Sequence, residues 1–213
     1  MTFLELQQEL STVPGARFKS TQSSSYKKWL NARAAELWGL EDWTFRKADV
    51  DLTVTAGSAE VTEPTDLGIV LGIWTDLGDP LRYLTPRDYF AQHIGNTSTG
   101  VPIAYTVVNK QIKLDPTPNA SSLTWHIYYD RAYCHKNGAG AYVVGDMTLD
   151  DDSPALPSEA HYLLIHGAIS MGSVNMNDFT YQFAEQGWLS GIESLRRNYL
   201  VDVRGEPQQW AAY

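Results

Sequence analysis

The hydrophobic period of this chain switches twice, and that double switch limits the possible folds more than any single motif. Phe3, Leu6 and Leu10 recur at steps of three and four, and Tyr26, Trp29, Leu30, Ala34, Leu37 and Trp38 cover about half of a second helical circumference. From about 48 to 133 the period becomes two. Val50, Leu52 and Val54 alternate with Asp51, Thr53 and Thr55, and Leu123, Trp125, Ile127 and Tyr129 alternate with Thr124, His126, Tyr128 and Asp130. After Pro157 the helical step returns, over 158–171 and again over 177–200, where Tyr181, Ala184, Trp188, Ile192, Leu195 and Tyr199 share a face. Helical ends around a strand-rich middle predict an α+β fold. Its expected form is a helical bundle built from the N- and C-terminal segments, with an inserted small antiparallel β-sandwich or barrel of about six strands.

The expected organisation is helical over 1–47, β over 48–133, a Gly-rich and acidic loop over 134–156, helical over 157–200, and an extended arm over 201–213. Within the β region, Asn109-Lys110 reads as a two-residue hairpin turn, because Asn tolerates positive φ. The Thr85-Pro86 pair predicts a capped helical turn. The apolar run Ile69-Val70-Leu71-Gly72-Ile73-Trp74 reads as a strand covered on both faces. Gly187 and Gly191 each cost about 1 kcal/mol inside a helix, so they predict close backbone approach or a bend.

The helix after Pro157 is apolar on two sides. Ala160, Leu163, Leu164, Gly167, Ala168 and Met171 line one, and Tyr162, Ile165 and Ile169 the other. Such a helix must be covered twice, by its own chain or by a neighbouring copy. Tyr162, Ile165 and Ile169 are therefore candidate subunit-interface residues. Arg33 joins them, since it falls inside the apolar arc of the second helix. One reading packs its stem and pairs its guanidinium internally; the other exposes the charge at a subunit contact.

Composition narrows the function. Sixteen Lys and Arg against 25 Asp and Glu give a formal charge of -9, the opposite of the basic footprint of a protein that grips phosphate backbones. The single cysteine, Cys134, excludes an internal disulfide and a Cys-built zinc cage. The N-terminus lacks the basic region of a standard signal peptide, and no stretch reaches the ~18 apolar residues of a membrane span. A soluble, intracellular product is expected.

No constellation carries chemistry. Gly138, Gly140 and Gly145 are not followed by the Lys-Ser/Thr of a phosphate loop. Cys134 and His135 are adjacent and would point to opposite faces of a strand. His161 and His166 stand five apart, about 140° around a helix, so they do not share a metal-binding face and read as boundary residues. The run Asp150, Asp151, Asp152 lacks the register of a calcium loop. Tyr128 beside His126 could stack on sugar rings, provided that the aromatics stand exposed in a row on one β face. No catalytic residue, metal ligand or cofactor site is assigned.

Three blocks in collinear order carry a resemblance. The stretch Trp29-Leu30-Asn31-Ala32-Arg33-Ala34-Ala35-Glu36-Leu37-Trp38 leading to Asp42-Trp43-Thr44-Phe45 resembles the second helix and aromatic turn of the head-to-tail adaptor proteins of tailed bacteriophages. The segment 102–118, continuing to Tyr128-Tyr129, is similar to their hairpin. The segment 156–168, led by Leu156-Pro157-Ser158, is similar to the helix that re-enters their bundle. The resemblance implies a non-enzymatic structural virion protein that forms a homo-oligomeric, generally dodecameric ring beneath the portal protein. Such a ring joins capsid to tail, contacts stopper or tail proteins below, and lets DNA pass through without specific binding. It also implies assembly in the host cytoplasm and no membrane partner. The longer 138–152 stretch and the aromatic tail depart from the usual pattern. On this reading Arg204, Trp210 and Tyr213 form a portal-binding arm, and Asp150, Asp151 and Asp152 are candidates to face the channel. The alternatives are another virion joining protein, such as a stopper or tail-completion protein, or a sugar-binding β module.

Overall fold

The structure, a computed structural model, describes residues 1–12, 23–93, 98–120, 123–173 and 179–200. It is a mixed α+β protein that divides into two compact units. Residues 1–46 and 135–213 make one, and residues 47–134 the other.

In the unit made from the chain ends, α1 (Phe3–Thr12) starts at a reciprocal cap. Thr2 Oγ1 accepts from the Glu5 amide at 3.2 Å, and Glu5 Oε2 accepts from the Thr2 amide at 2.8 Å, which satisfies two otherwise orphaned donors. Helix α2 (Ser23–Leu40) follows, and α4 (Ser158–Ser173) and α5 (Phe179–Tyr199) complete the set. Helix α4 packs against α1, α2 and α5. That central position explains its two apolar sides, and it corrects the interface assignment. Ile165 and Ile169 are only 7 % and 4 % exposed within the single chain, so their cover comes from their own chain and not from a neighbouring copy.

The α4/α5 contact is close because three glycines permit it. A Cβ on Gly167 would stand 2.7 Å from Trp188 Cε3, one on Gly187 2.9 Å from His166 Nδ1, and one on Gly191 2.5 Å from Leu163 Cδ1. The glycines of α5 thus exchange helix propensity for packing distance. Beyond α2, the aromatic turn stacks Trp43 on Phe45 with centroids 5.6 Å apart, and Phe45 meets the edge of Tyr199. Arg196 of α5 donates from Nε and Nη2 to Glu41 at 2.9 and 2.6 Å, tying the same ends together. The segment 134–156 is not a plain loop. It holds β10 (Cys134–Lys136), β11 (Tyr142–Val144) and β12 (Ser153–Pro154), in the order β11-β10-β12.

In the other unit, β1 (Lys47–Val54) and β3 (Leu67–Trp74) flank β9 (Leu123–Arg131), both antiparallel to it. A second sheet has the order β2-β7-β6-β4, from β2 (Glu60–Val61), β4 (Arg82–Tyr83), β6 (Ala104–Val108) and β7 (Gln111–Asp115). Side chains of both sheets share one core, in which Trp125, Ile127 and Tyr129 of β9 meet Ile112 and Leu114 of β7. The β6–β7 turn is Asn109-Lys110, with φ of 52° and 67°, the two positive values that a type I′ hairpin requires. Thr85 caps α3 (Pro86–His93), which runs two turns where one was expected.

Two expectations change here. The pairing is not wholly antiparallel: β4 runs parallel to β6, and β5 (Thr99–Gly100) parallel to β8 (Thr117–Pro118). Strand β3 is not covered on both faces either. It is an edge strand with two register shifts against β9, and Ile69 stands 61 % exposed with Leu71 open beside it. A continuous apolar run reports hydrophobicity, not which neighbours arrive to cover it.

Candidate partner-binding surfaces

Arg33 illustrates how the helical unit uses its polar groups. From α2 its Nε donates to the Gly167 carbonyl at 3.1 Å, its Nη2 to Ser170 Oγ at 3.1 Å, and its Nη1 to Glu36 at 2.7 Å, while its guanidinium lies 4.8 Å from the centre of the Trp188 ring. Ser170 in turn donates to Glu185. Of the two sequence readings of Arg33, these contacts match the internally paired one. The guanidinium is a clamp between α2, α4 and α5, because its planar donors match a helix carbonyl, a hydroxyl and a carboxylate at once.

The acidic run splits. Asp150 and Asp151 are exposed, and Asp150 lies 3.4 Å from Lys27 Nζ. Asp152 is buried, so its place among the channel-facing candidates is corrected. Its Oδ2 accepts from the Thr148 and Leu149 amides at 2.7 and 2.8 Å and lies 3.5 Å from His135 Nε2. A carboxylate that closes its own loop through two backbone donors is structural. Its backbone carbonyl also accepts from the Phe3 amide at 2.6 Å. Asn31 was missed by sequence reasoning. It is buried on α2 and exchanges two hydrogen bonds with the backbone of Met147, and nothing in its periodicity marks it.

His161 is buried on α4. The terminal ammonium of Met1 donates to its Nδ1 at 2.9 Å, which leaves Nε2 to donate to the Leu156 carbonyl at 3.2 Å. Burial, and after it the adjacent ammonium, hold this imidazole below the ordinary histidine pKa. The unfolded chain therefore binds the proton more readily, and folding stability falls as pH drops below about 6.5. We expect the melting temperature to decline from pH 7.5 to pH 5, and the decline to be shallower in His161→Gln; equal slopes would refute this role.

Several large apolar side chains also stand outward. Tyr162 on α4 is 62 % exposed, and Phe183 and Leu189 on α5 and Leu40 at the end of α2 are also exposed. Leu40, Leu189 and Ile192 line a groove between α2 and α5, with the Glu36, Glu185 and Glu193 carboxylates around it. Of the residues expected at an interface, Tyr162 alone keeps a free side chain; Phe183 and Leu189 were not foreseen, because a helical wheel assigns them to the polar face of α5. Among the described residues no group of three His, Cys, Asp or Glu side chains is placed to hold a metal ion, and no helix is long and apolar enough to cross a membrane. Arg204, Trp210 and Tyr213 lie outside the described residues.

Large apolar side chains left exposed on α2, α4 and α5 are a feature of surfaces that meet other proteins. The profile of the SU10 adaptor protein family matches residues 1–209. The chain belongs to that family, and is accordingly a bacteriophage adaptor, a structural component of the virion. No curated protein matches it.

Proposed function

We propose that the chain forms a homo-oligomeric ring that docks on the portal protein and connects the capsid to the tail around the DNA channel. Membership of the adaptor family along 1–209 carries this reading. The acidic balance supports it, since a conduit must let a polyanion slide, and exposed Asp150 and Asp151 are the channel-facing candidates. The subunit contacts draw on the exposed apolar residues Tyr162 of α4, Phe183 and Leu189 of α5, and Leu40 at the end of α2. A ring needs two different surfaces on each copy. The role is non-enzymatic, and stopper or tail proteins bind below.

The arm over 201–213 attaches to the portal. Arg204 supplies a charge-assisted contact, and Trp210 and Tyr213 bury large areas with few rotatable bonds. Deleting 205–213 is expected to leave the melting temperature nearly unchanged and to abolish attachment to portal-bearing heads. A destabilised protein would instead make the tail a cap on its own chain. Native mass measurement of the assembled particle tests the ring: Leu189→Lys should shift it towards monomer, and an unshifted particle removes Leu189 from the interface.

A further inference from the structure

We propose that the open face of the β1-β9-β3 sheet is a saccharide-binding platform, an activity independent of the joining role. The register sets out two rows of three. Asp49 lies opposite Tyr128, and Tyr128 opposite Gly72; Asp51 lies opposite His126, and His126 opposite Trp74. Cross-strand partners point to the same side. The six positions therefore share the face turned away from the core that Leu52, Trp125 and Ile127 fill.

Gly72 shapes the platform. A Cβ there would stand 2.4 Å from Cη2 of Trp74, so the indole folds back along its own strand and rests on the bare glycine, next to Tyr128. Tyr128 is 39 % exposed and Trp74 half-buried. The two aromatic residues sit on neighbouring strands, whose backbones run about 4.8 Å apart, a spacing close to the width of a pyranose ring. Carboxylates and an imidazole edge it. His126 Nδ1 and Asp51 Oδ1 hold each other at 2.8 Å, while Asp49 is exposed at the end of its row and has no bonding partner among the described residues.

This combination selects a ligand that is itself two-sided. The axial C–H face of a pyranose carries weak positive charge and stacks on the negative faces of the rings. Its equatorial hydroxyls then reach the edge, where Asp49 and the second carboxylate oxygen of Asp51 accept and His126 Nε2, the ring nitrogen that Asp51 does not hold, donates or accepts. A purely apolar partner would have to strip water from Asp49 and Asp51 with nothing in return. One exposed ring, Tyr128, and one half-buried ring, Trp74, stand on this face.

The test is titration of the full chain with chitohexaose, maltohexaose and cellohexaose, each to about 10 mM, followed by amide chemical shifts. Saturable shifts centred on residues 72, 74, 126 and 128 are expected for at least one sugar, with Kd of about 0.1–1 mM. Trp74→Ala should weaken binding about tenfold, as should Gly72→Ala, which keeps the indole but lifts it from the sheet. Since either change could disturb folding, Asp49→Asn serves as the variant on an exposed side chain, with an expected loss of about threefold. No shifts with any of the three sugars overturns the proposal. So do shifts that survive both Asp49→Asn and Trp74→Ala, or shifts produced by arginine methyl ester alone, which would mark a site for cationic side chains.

Discussion

Trp188→Ala is expected to destabilise the helical unit by about 3–5 kcal/mol, the range of a large aromatic removed from a packed core. The indole is among the largest fully buried side chains, and both of its surroundings depend on it. On one side α4 approaches so closely that Gly167 has no room for a Cβ, and on the other the Arg33 guanidinium lies over the ring. Truncation leaves a cavity that rigid helix backbone cannot fill and removes the cation–π contact. Leu189→Ala, one residue further on but exposed, should change stability by no more than about 0.5 kcal/mol. Urea unfolding of the two variants decides the matter. Similar losses would mean that α5 presents a different face to α4.

In the β unit the largest loss is expected from Asp66→Ala, again about 3–5 kcal/mol. Asp66 is buried where the chain enters β3, and its two carboxylate oxygens accept from Tyr129 Oη and Arg131 Nε, both at 2.8 Å. Burial, and after it the Asp66 hydrogen bond, raise the Tyr129 hydroxyl above its ordinary pKa, so it remains a donor across the physiological range. Without the carboxylate, the phenol loses its acceptor and the guanidinium loses its counter-charge in a site that water reaches poorly. The cost is mainly that of the groups left behind. Asp66→Asn keeps one acceptor and should lose less. A near-neutral Asp66→Ala, measured by the same unfolding assay, would show the network to be dispensable.

Much of the architecture was legible because it follows from local physics. The 3.6 and 2 periods are properties of the backbone, so α1, α2, α4, α5, β1 and β9 could be placed to within a few residues. The Asn109-Lys110 turn was legible from a φ preference, and Gly187 and Gly191 from the cost of glycine in a helix. The errors share one cause. Ile165 and Ile169, the Ile69–Trp74 run and Asp152 each require a neighbour by their own character, and that character does not say which. An apolar face requires a cover without naming it, and a carboxylate requires donors without saying whether they are water, a partner or the next two amides.

Sequence alone therefore determined which segments are helical and which extended, that the chain is α+β, and, through three ordered blocks, its resemblance to phage adaptors. Tertiary structure decided which apolar faces are spent inside the chain and which remain. It put α4 between α1, α2 and α5, which consumed Ile165 and Ile169 and left Tyr162, and it put β3 at a sheet edge, which left Ile69 open. The reason is range. Period, caps and turns are set by interactions over a few residues, whereas burial depends on elements more than a hundred residues apart, such as α2 and α4, and a residue carries no record of what packs against it.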